Sequence, residues 1–314
     1  MAKRFVLTER DLDILQSLAQ VRYLTIEHVQ WLHWHERWRA AERAAREAGV
    51  VNRRPKKAYE RVAAMRQRGL LLSIQRTADR AATVYRRLPN CLSLAAAGAE
   101  LLASQRDLPL ESLWYDERAT RAATTLEHGL GIGAFYAALR AELAYRGHVL
   151  DGWIADHVLC TDYDSVSVAS VGHPLPIIPD GTFTLEGTRY FLEIDRGTSR
   201  AEQWRKKALA YDAYSRDPRL ANRYGVKRFV VLVVAPSETR TLAIARTIAA
   251  VHGGASDTYR FLVEERVHPL RIRRRWQRMD SPTVQPAAGG GAGRGGVALR
   301  EDVLWSPSPG EGAV

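Results

Sequence analysis

The chain has 314 residues, 46% of them apolar, and a formal net charge of +11. That length and composition suit two domains with real cores, while no run approaches the about 20 apolar residues of a membrane span, so no membrane partner is expected. The charged opening MAKRFVLTERD lacks the apolar stretch of a signal peptide, and Cys91 and Cys160 lie far apart without metal-site spacing, as expected of buried thiols in a reducing cytoplasm.

The charge is unevenly placed. Residues 1–110 carry 20 Lys and Arg against 11 Asp and Glu, whereas residues 111–270 carry 19 against 20. An acidic partner for the first third is implied, most simply a nucleic acid, and double-stranded DNA once the basic residues are placed on a helix that can enter a major groove.

In chain order, TERDLDILQSLA at 8–19 opens on a Thr cap with acids in its first turn and predicts a helix, with Leu12, Leu15, Leu18 and Ala19 on one face. A short second helix follows in TIEHVQWLHW, capped by Thr25. A third runs from about Pro55, suited to the first helical position, to Arg68, where Gly69 ends it; Val62, Met65 and Tyr59 face its core side. Residues 70–74 and 83–88 predict two strands joined by a polar hairpin, and SLAAAGAELLAS another helix. Three helices and a two-stranded wing are the order of a winged helix-turn-helix. A helix lying in a major groove needs cations for phosphates and donors for base edges. Arg53, Arg54, Lys56, Lys57 and Arg61 stand at or near the start of the third helix, and Arg76 and Arg80 lie in the wing.

Residues 104–116 read as a linker. A long helix over 117–145 follows, with Leu126, Ile132, Phe135, Leu139 and Leu143 forming a stripe, His128 on the same face, and Gly129, Gly131 and Gly133 weakening it. Strands are then expected in 148–159 and in the hairpin 178–198, a helix over 199–215, a strand buried on both faces over 227–236, a helix near 237–252 and a strand in YRFLVEERV. The domains are thus 1–103, a linker 104–116, 117–275, and a Pro/Gly-rich tail 276–314 that is expected to be disordered, although its DVLW at 302–305 is apolar enough to dock.

The hairpin IPDGTFTLEGTRYFLEIDRGT carries the chemistry. A two-residue turn at Glu186-Gly187, or a four-residue loop of the same register, sets Leu185 opposite Thr188, Phe183 opposite Tyr190 and Asp180 opposite Glu193. Alternation then puts Asp180, Thr182, Thr184, Arg189, Phe191, Glu193 and Asp195 on one face. Three carboxylates crowd one end of it, where like charges repel. A hard cation relieves that repulsion and can activate water at a phosphodiester. In the next helix Gln203, Lys207 and Tyr211 recur at four-residue spacing behind a capping box at Ser199–Glu202. Lys207, with Lys206 second, can reach back to the acids, and Gln203, Tyr211 and His128 are supporting candidates. The plainer alternative is a polar surface whose acids pair with Arg189 or Arg196.

Pro179-Asp180 followed by Glu193-Ile194-Asp195 and a helix resembles the PD-(D/E)xK nuclease-like superfamily. That resemblance implies a mixed α/β sheet flanked by helices, with an Asp, a second acid and, two residues on, a lysine; here Asp195 stands at the lysine position. Residues 7–267 also resemble the replication-relaxation family through LTERDLDILQSLAQVRYLTIEHV, the His128 helix, PDGTF, FLEIDRGT and the Lys207–Tyr211 stretch. The implied fold is a winged helix-turn-helix followed by a restriction-endonuclease-like α+β or α/β domain. The implied role is DNA binding in plasmid or mobile-element replication or mobilisation, with replication or mobilisation proteins as partners, Asp180, Glu193 and Asp195 as metal ligands, and Mg²⁺ or Mn²⁺ if the site cleaves. The alternative is a winged-helix transcriptional regulator whose second domain senses or docks.

Overall fold

The computed structural model describes residues 5–48, 56–76, 91–280 and 297–304. Their contacts form two compact units, divided between Val149 and Leu150.

The first unit runs α1 (Glu9–Val21), β1 (Leu24–Thr25), α2 (Ile26–His33), α3 (His35–Glu47), α4 (Lys56–Gln67), β2 (Leu71–Arg76), β3 (Cys91–Leu94), α5 (Ala96–Arg106), β4 (Thr120–Arg121) and α6 (Ala123–Tyr145). Its caps follow the sequence: the Thr8 amide and hydroxyl both donate to Asp11 Oδ2 at 2.7 Å, and Thr25 Oγ1 accepts from the His28 amide. The strands form one sheet in the order β1-β3-β2-β4, with helices packed around it, as in a winged helix. Three details differ from expectation. Helix α3, rich in Arg, Ala and Glu, stands between α2 and the basic helix, which is therefore the fourth. Tyr59 is 47% exposed while Val62 and Met65 are buried. The strand pairing with β2 is Cys91–Leu94, whose four residues are all buried, so the following helix starts only at Ala96. The predicted strand over 83–88 lies outside the described residues.

The sequence pattern joins residues 117–145 to the second domain, whereas the contacts group α6 with the first unit. Its glycines explain this. A Cβ on Gly129 would lie 2.4 Å from the Tyr23 ring, and one on Gly133 only 2.1 Å from the Tyr23 carbonyl oxygen. Tyr136 OH also donates to Gln20 Oε1 at 2.5 Å. The linker is built in as well: Asp116 is buried, accepts from Tyr23 OH at 3.2 Å and pairs with Arg121.

The second unit runs β5 (Asp151–Ala155), α7 (Asp156–Leu159), β6 (Asp164–Val166), β7 (Leu175–Ile177), β8 (Gly181–Leu185), β9 (Thr188–Ile194), α8 (Ala201–Tyr214), α9 (Pro218–Tyr224), β10 (Phe229–Ala235), α10 (Glu238–His252), β11 (Tyr259–Val263), β12 (Arg274–Asp280) and β13 (Ala298–Val303). A seven-stranded mixed sheet has the order β13-β12-β11-β10-β9-β8-β5. Its centre, β9-β10-β11, is parallel, and the flanking pairs are antiparallel. Phe191, Trp204, Tyr211, Phe229, Val231 and Ile244 join α8 and α10 to one face. The tail is not wholly unstructured as expected: β12 and β13 extend the sheet, Trp276 and Met279 are buried, and Leu304 is buried with its carbonyl accepting from Tyr190 OH at 3.2 Å. Residues 281–296 and 305–314 lie outside the described residues. Cys91 is buried, but Cys160 is exposed rather than buried. Among the described residues no helix is long and apolar enough to cross a membrane.

Candidate functional site

The hairpin forms in the expected register. Glu186 and Gly187 both take positive φ, 48° and 73°, as a turn matched to strand twist requires. Leu185 pairs with Thr188, Phe183 with Tyr190 and Gly181 with Leu192. The ladder continues to Asp180, whose amide donates to Leu192 O at 2.8 Å and whose Oδ2 accepts from the Ile194 amide at 2.6 Å. The acidic face is not a surface, however. Thr182, Arg189, Glu193 and Asp195 are all buried, and Phe191 on that face packs against Tyr211 and Phe229.

Glu193 lies on a central strand, 2% exposed. Its Oε1 accepts from Tyr211 OH at 2.6 Å, and its Oε2 meets Lys207 Nζ in an ion pair. Burial pushes the Glu193 carboxyl above its ordinary range and Asp180 adds to that, with Lys207 opposing. For Lys207, burial favours the neutral amine but is outweighed by Glu193 and Asp180, so its pKa is raised. Its side chain remains 41% exposed, and its ammonium stands 5.5 Å from the centre of the Trp204 ring. Tyr211, buried against Glu193, is raised well above an ordinary phenol.

Asp195 behaves differently. Its side chain is 0% exposed and receives four hydrogen bonds: from Arg240 Nε at 2.7 Å and Nη2 at 2.9 Å, from the Trp204 indole at 3.2 Å and from the Gly197 amide at 2.9 Å. Burial would raise its pKa, but Arg240, Trp204 and Gly197 together hold it below the ordinary carboxylate value. Arg240 also donates to Ser199 O. Thus Asp180, Glu193 and Lys207 come together, while Asp195 is turned to an arginine from another helix. Among the described residues no group of three His, Cys, Asp or Glu side chains is placed to hold a metal.

The supporting candidates divide. Tyr211 touches Glu193. Gln203 is exposed, and its Oε1 caps the helix by accepting from the Arg200 amide at 2.8 Å, so Arg200, not Ser199, is the capping residue. Lys206 is half-buried, and His128 is half-buried on α6 of the first unit. Trp204 and Arg240 were not anticipated. Trp204 falls one position away from the Gln203, Lys207, Tyr211 row, and no spacing links Arg240 to a strand 45 residues earlier.

In the first unit Lys56 and Lys57 are exposed on the first turn of α4, Lys56 with an 86% exposed side chain. Arg61 is engaged internally: it donates to Asp11 Oδ1 and to Val6 O, each at 2.6 Å, and stacks 4.3 Å from the Phe5 ring. Arg76 closes β2. Arg53, Arg54 and Arg80 lie outside the described residues.

A model of the replication-relaxation family matches residues 15–230. The chain belongs to the replication-relaxation family. The match spans both units and includes β8, β9 and α8, hence Asp180, Glu193 and Lys207. Members of this family are linked to plasmid and mobile-element biology. No curated protein and no solved structure matches the chain.

Proposed function

We propose that this protein binds double-stranded DNA through its winged-helix unit during plasmid or mobile-element replication or mobilisation. We further infer that its second unit is a modified metal-dependent nuclease core whose lysine is supplied by α8. The observation that carries the proposal is the Lys207–Glu193 ion pair at the end of β9 beside Asp180. Two carboxylates from neighbouring strands suit Mg²⁺ or Mn²⁺, which is bound by one or two carboxylates with waters and phosphate oxygens. Asp180 and Glu193 would hold the ion, and it would supply Lewis acidity at a phosphodiester. Burial and Asp180 both disfavour a lone negative charge on Glu193, a burden that a cation relieves. Lys207, partly exposed, can offer its ammonium to a non-bridging phosphate oxygen.

The test uses the full chain with supercoiled and linear duplex DNA, titrated with Mg²⁺ or Mn²⁺ and quenched with EDTA. Metal-dependent nicking is expected. Lys207→Met should lower its rate by about 10²–10³, and Asp180→Asn and Glu193→Gln should abolish it, all with DNA binding retained. Binding without cleavage under every metal would overturn the nuclease part. A second function, a winged-helix regulator whose second unit docks or senses, is favoured by the donor sets on Glu193 and Asp195, which satisfy both carboxylates within the protein. Protection of a single operator, with no effect on plasmid copy number or transfer, would support it.

A further inference from the structure

We propose that Asp195 is a positioning residue: through the Trp204 indole it fixes the surface on which Lys207 rests, and so aims that lysine at Glu193. This rests on the nuclease reading of the Asp180, Glu193 and Lys207 group.

A lysine carried on the strand itself has a short, well-determined reach. A lysine supplied by the next helix must be aimed. Lys207 has a flexible stem and a 41% exposed side chain, so solvent offers it many rotamers that miss Glu193. Trp204, one helical turn earlier, lies under its ammonium at 5.5 Å, within the range where a ring face attracts a cation. The ring can serve only if it is itself held. Its single polar atom, the indole N–H, donates to Asp195 Oδ1 at 3.2 Å, and Trp204 is only 3% exposed.

Asp195 is immobilised in turn. Arg240, in the first turn of α10, grips both of its oxygens and also Ser199 O, just before α8. The guanidinium therefore ties three segments: the end of β9, the entry to α8 and the start of α10. Each link is a named contact, from Arg240 to Asp195, to Trp204, to Lys207, to Glu193. The residue at the lysine position thus becomes the anchor of the lysine that replaced it.

The test reads lysine placement without requiring cleavage. The full-length protein is treated briefly with an amine-acetylating reagent at fixed pH, and acetylation of Lys207 relative to Lys206 of the same helix is measured by mass spectrometry. Trp204→Phe keeps a ring but loses the donor, and Asp195→Ala loses the acceptor. Each should raise the Lys207 to Lys206 ratio by about two- to fivefold, the population change that an exposed cation–π contact can hold. Asp195→Asn forfeits the charge pair with Arg240 but keeps an oxygen for the indole, so its ratio should stay at the wild-type value even as its melting temperature falls. Should Asp195→Ala fail to fold, Trp204→Phe decides. An unchanged ratio in Trp204→Phe would overturn the proposal, as would a ratio in Asp195→Asn as high as in Asp195→Ala. If the ratios move as expected but the wild type cleaves no DNA, the nuclease reading fails and the positioning role stands. If the wild type cleaves DNA and the ratios do not move, positioning alone fails; in an active enzyme Trp204→Phe should lower kcat with little change in KM.

Discussion

Replacing Lys56 and Lys57 together by glutamine separates DNA contact from fold stability. Both are exposed on the first turn of α4, and the Lys56 contact with Glu60 is 3.8 Å long between side chains 86% and 63% exposed. Such surface pairs contribute about 0–1 kcal/mol, so the loss should appear in binding, not in melting. Each phosphate contact on duplex DNA adds about 0.9 to the slope of log affinity against log salt, so removing two should flatten it by about 1.8. Between 50 and 200 mM salt, that makes the variant's loss of affinity about twelvefold smaller than the wild type's. Fluorescence anisotropy with a labelled duplex, titrated across that range, measures it. Arg61→Gln is the contrast, because Arg61 is bound to buried Asp11 and to Val6 O. Breaking a fully buried pair costs about 3–5 kcal/mol; with the Arg61 side chain 26% exposed, about 1–3 kcal/mol is expected after solvent screening. That variant should melt earlier with its salt slope unchanged. An unchanged slope in the double lysine variant would refute the assignment of α4 as the DNA-contacting helix.

Asp195, held below its ordinary value by Arg240, Trp204 and Gly197 against burial, contributes stability above the unfolded carboxyl pKa that is lost as pH falls through the lower folded value. Asp195→Asn should therefore be less stable than wild type at neutral pH, with the gap closing between about pH 5 and pH 2, as followed by urea unfolding of the second unit. Gly133→Ala gains about 1 kcal/mol of helix propensity, but its Cβ would meet a backbone oxygen at 2.1 Å. Overpacking of about 1–3 kcal/mol should win, so a raised melting temperature would contradict the packing of α6 on Tyr23. Asp195→Lys should lower stability by about 3–5 kcal/mol by setting a second cation against Arg240 in a fully buried place; nuclease activity gained at wild-type stability would refute this.

Elements governed by short-range rules were legible. The alternation and the Glu186-Gly187 turn set the hairpin register, because slipping it by one residue would reverse both faces, and the apolar run over Phe229–Ala235 is a strand buried on both sides. Elements governed by distant partners were not. Helix α3 is dominated by Arg, Ala and Glu, and its buried anchor Trp38 shows no period by itself. The Gly-rich stretch after Asp280 masked two flanking strands: β12, whose arginines are offset by buried Trp276 and Met279 and by pairing along β11, and β13, which pairs along β12. Gly129 and Gly133 of α6 looked like helix weakness and are points of close approach to Tyr23. In the site, Asp180, Glu193 and Lys207 were found because strand and helix adjoin in sequence; Arg240 was not, since only the fold brings α10 to the end of β9.

The charge of the site shows why a reversed residue at the lysine position is compatible with the resemblance. The pattern of an Asp, a second acid and a lysine carries a net charge of −1. Here Asp180, Glu193 and Asp195 face Lys207 and Arg240, which again leaves −1. One cation, Lys207 on α8, pairs with Glu193, and the other, Arg240 on α10, pairs with Asp195. In a buried setting this balance matters more than the identity of any one position, because an unpaired charge there costs several kcal/mol. Asp195 and Arg240 are then coupled: removing either one alone leaves the other charge buried and unpaired. Under the proposed reading, the acid at the lysine position is matched in three dimensions by Lys207 and Arg240, so the formal charge of the group equals that of the motif.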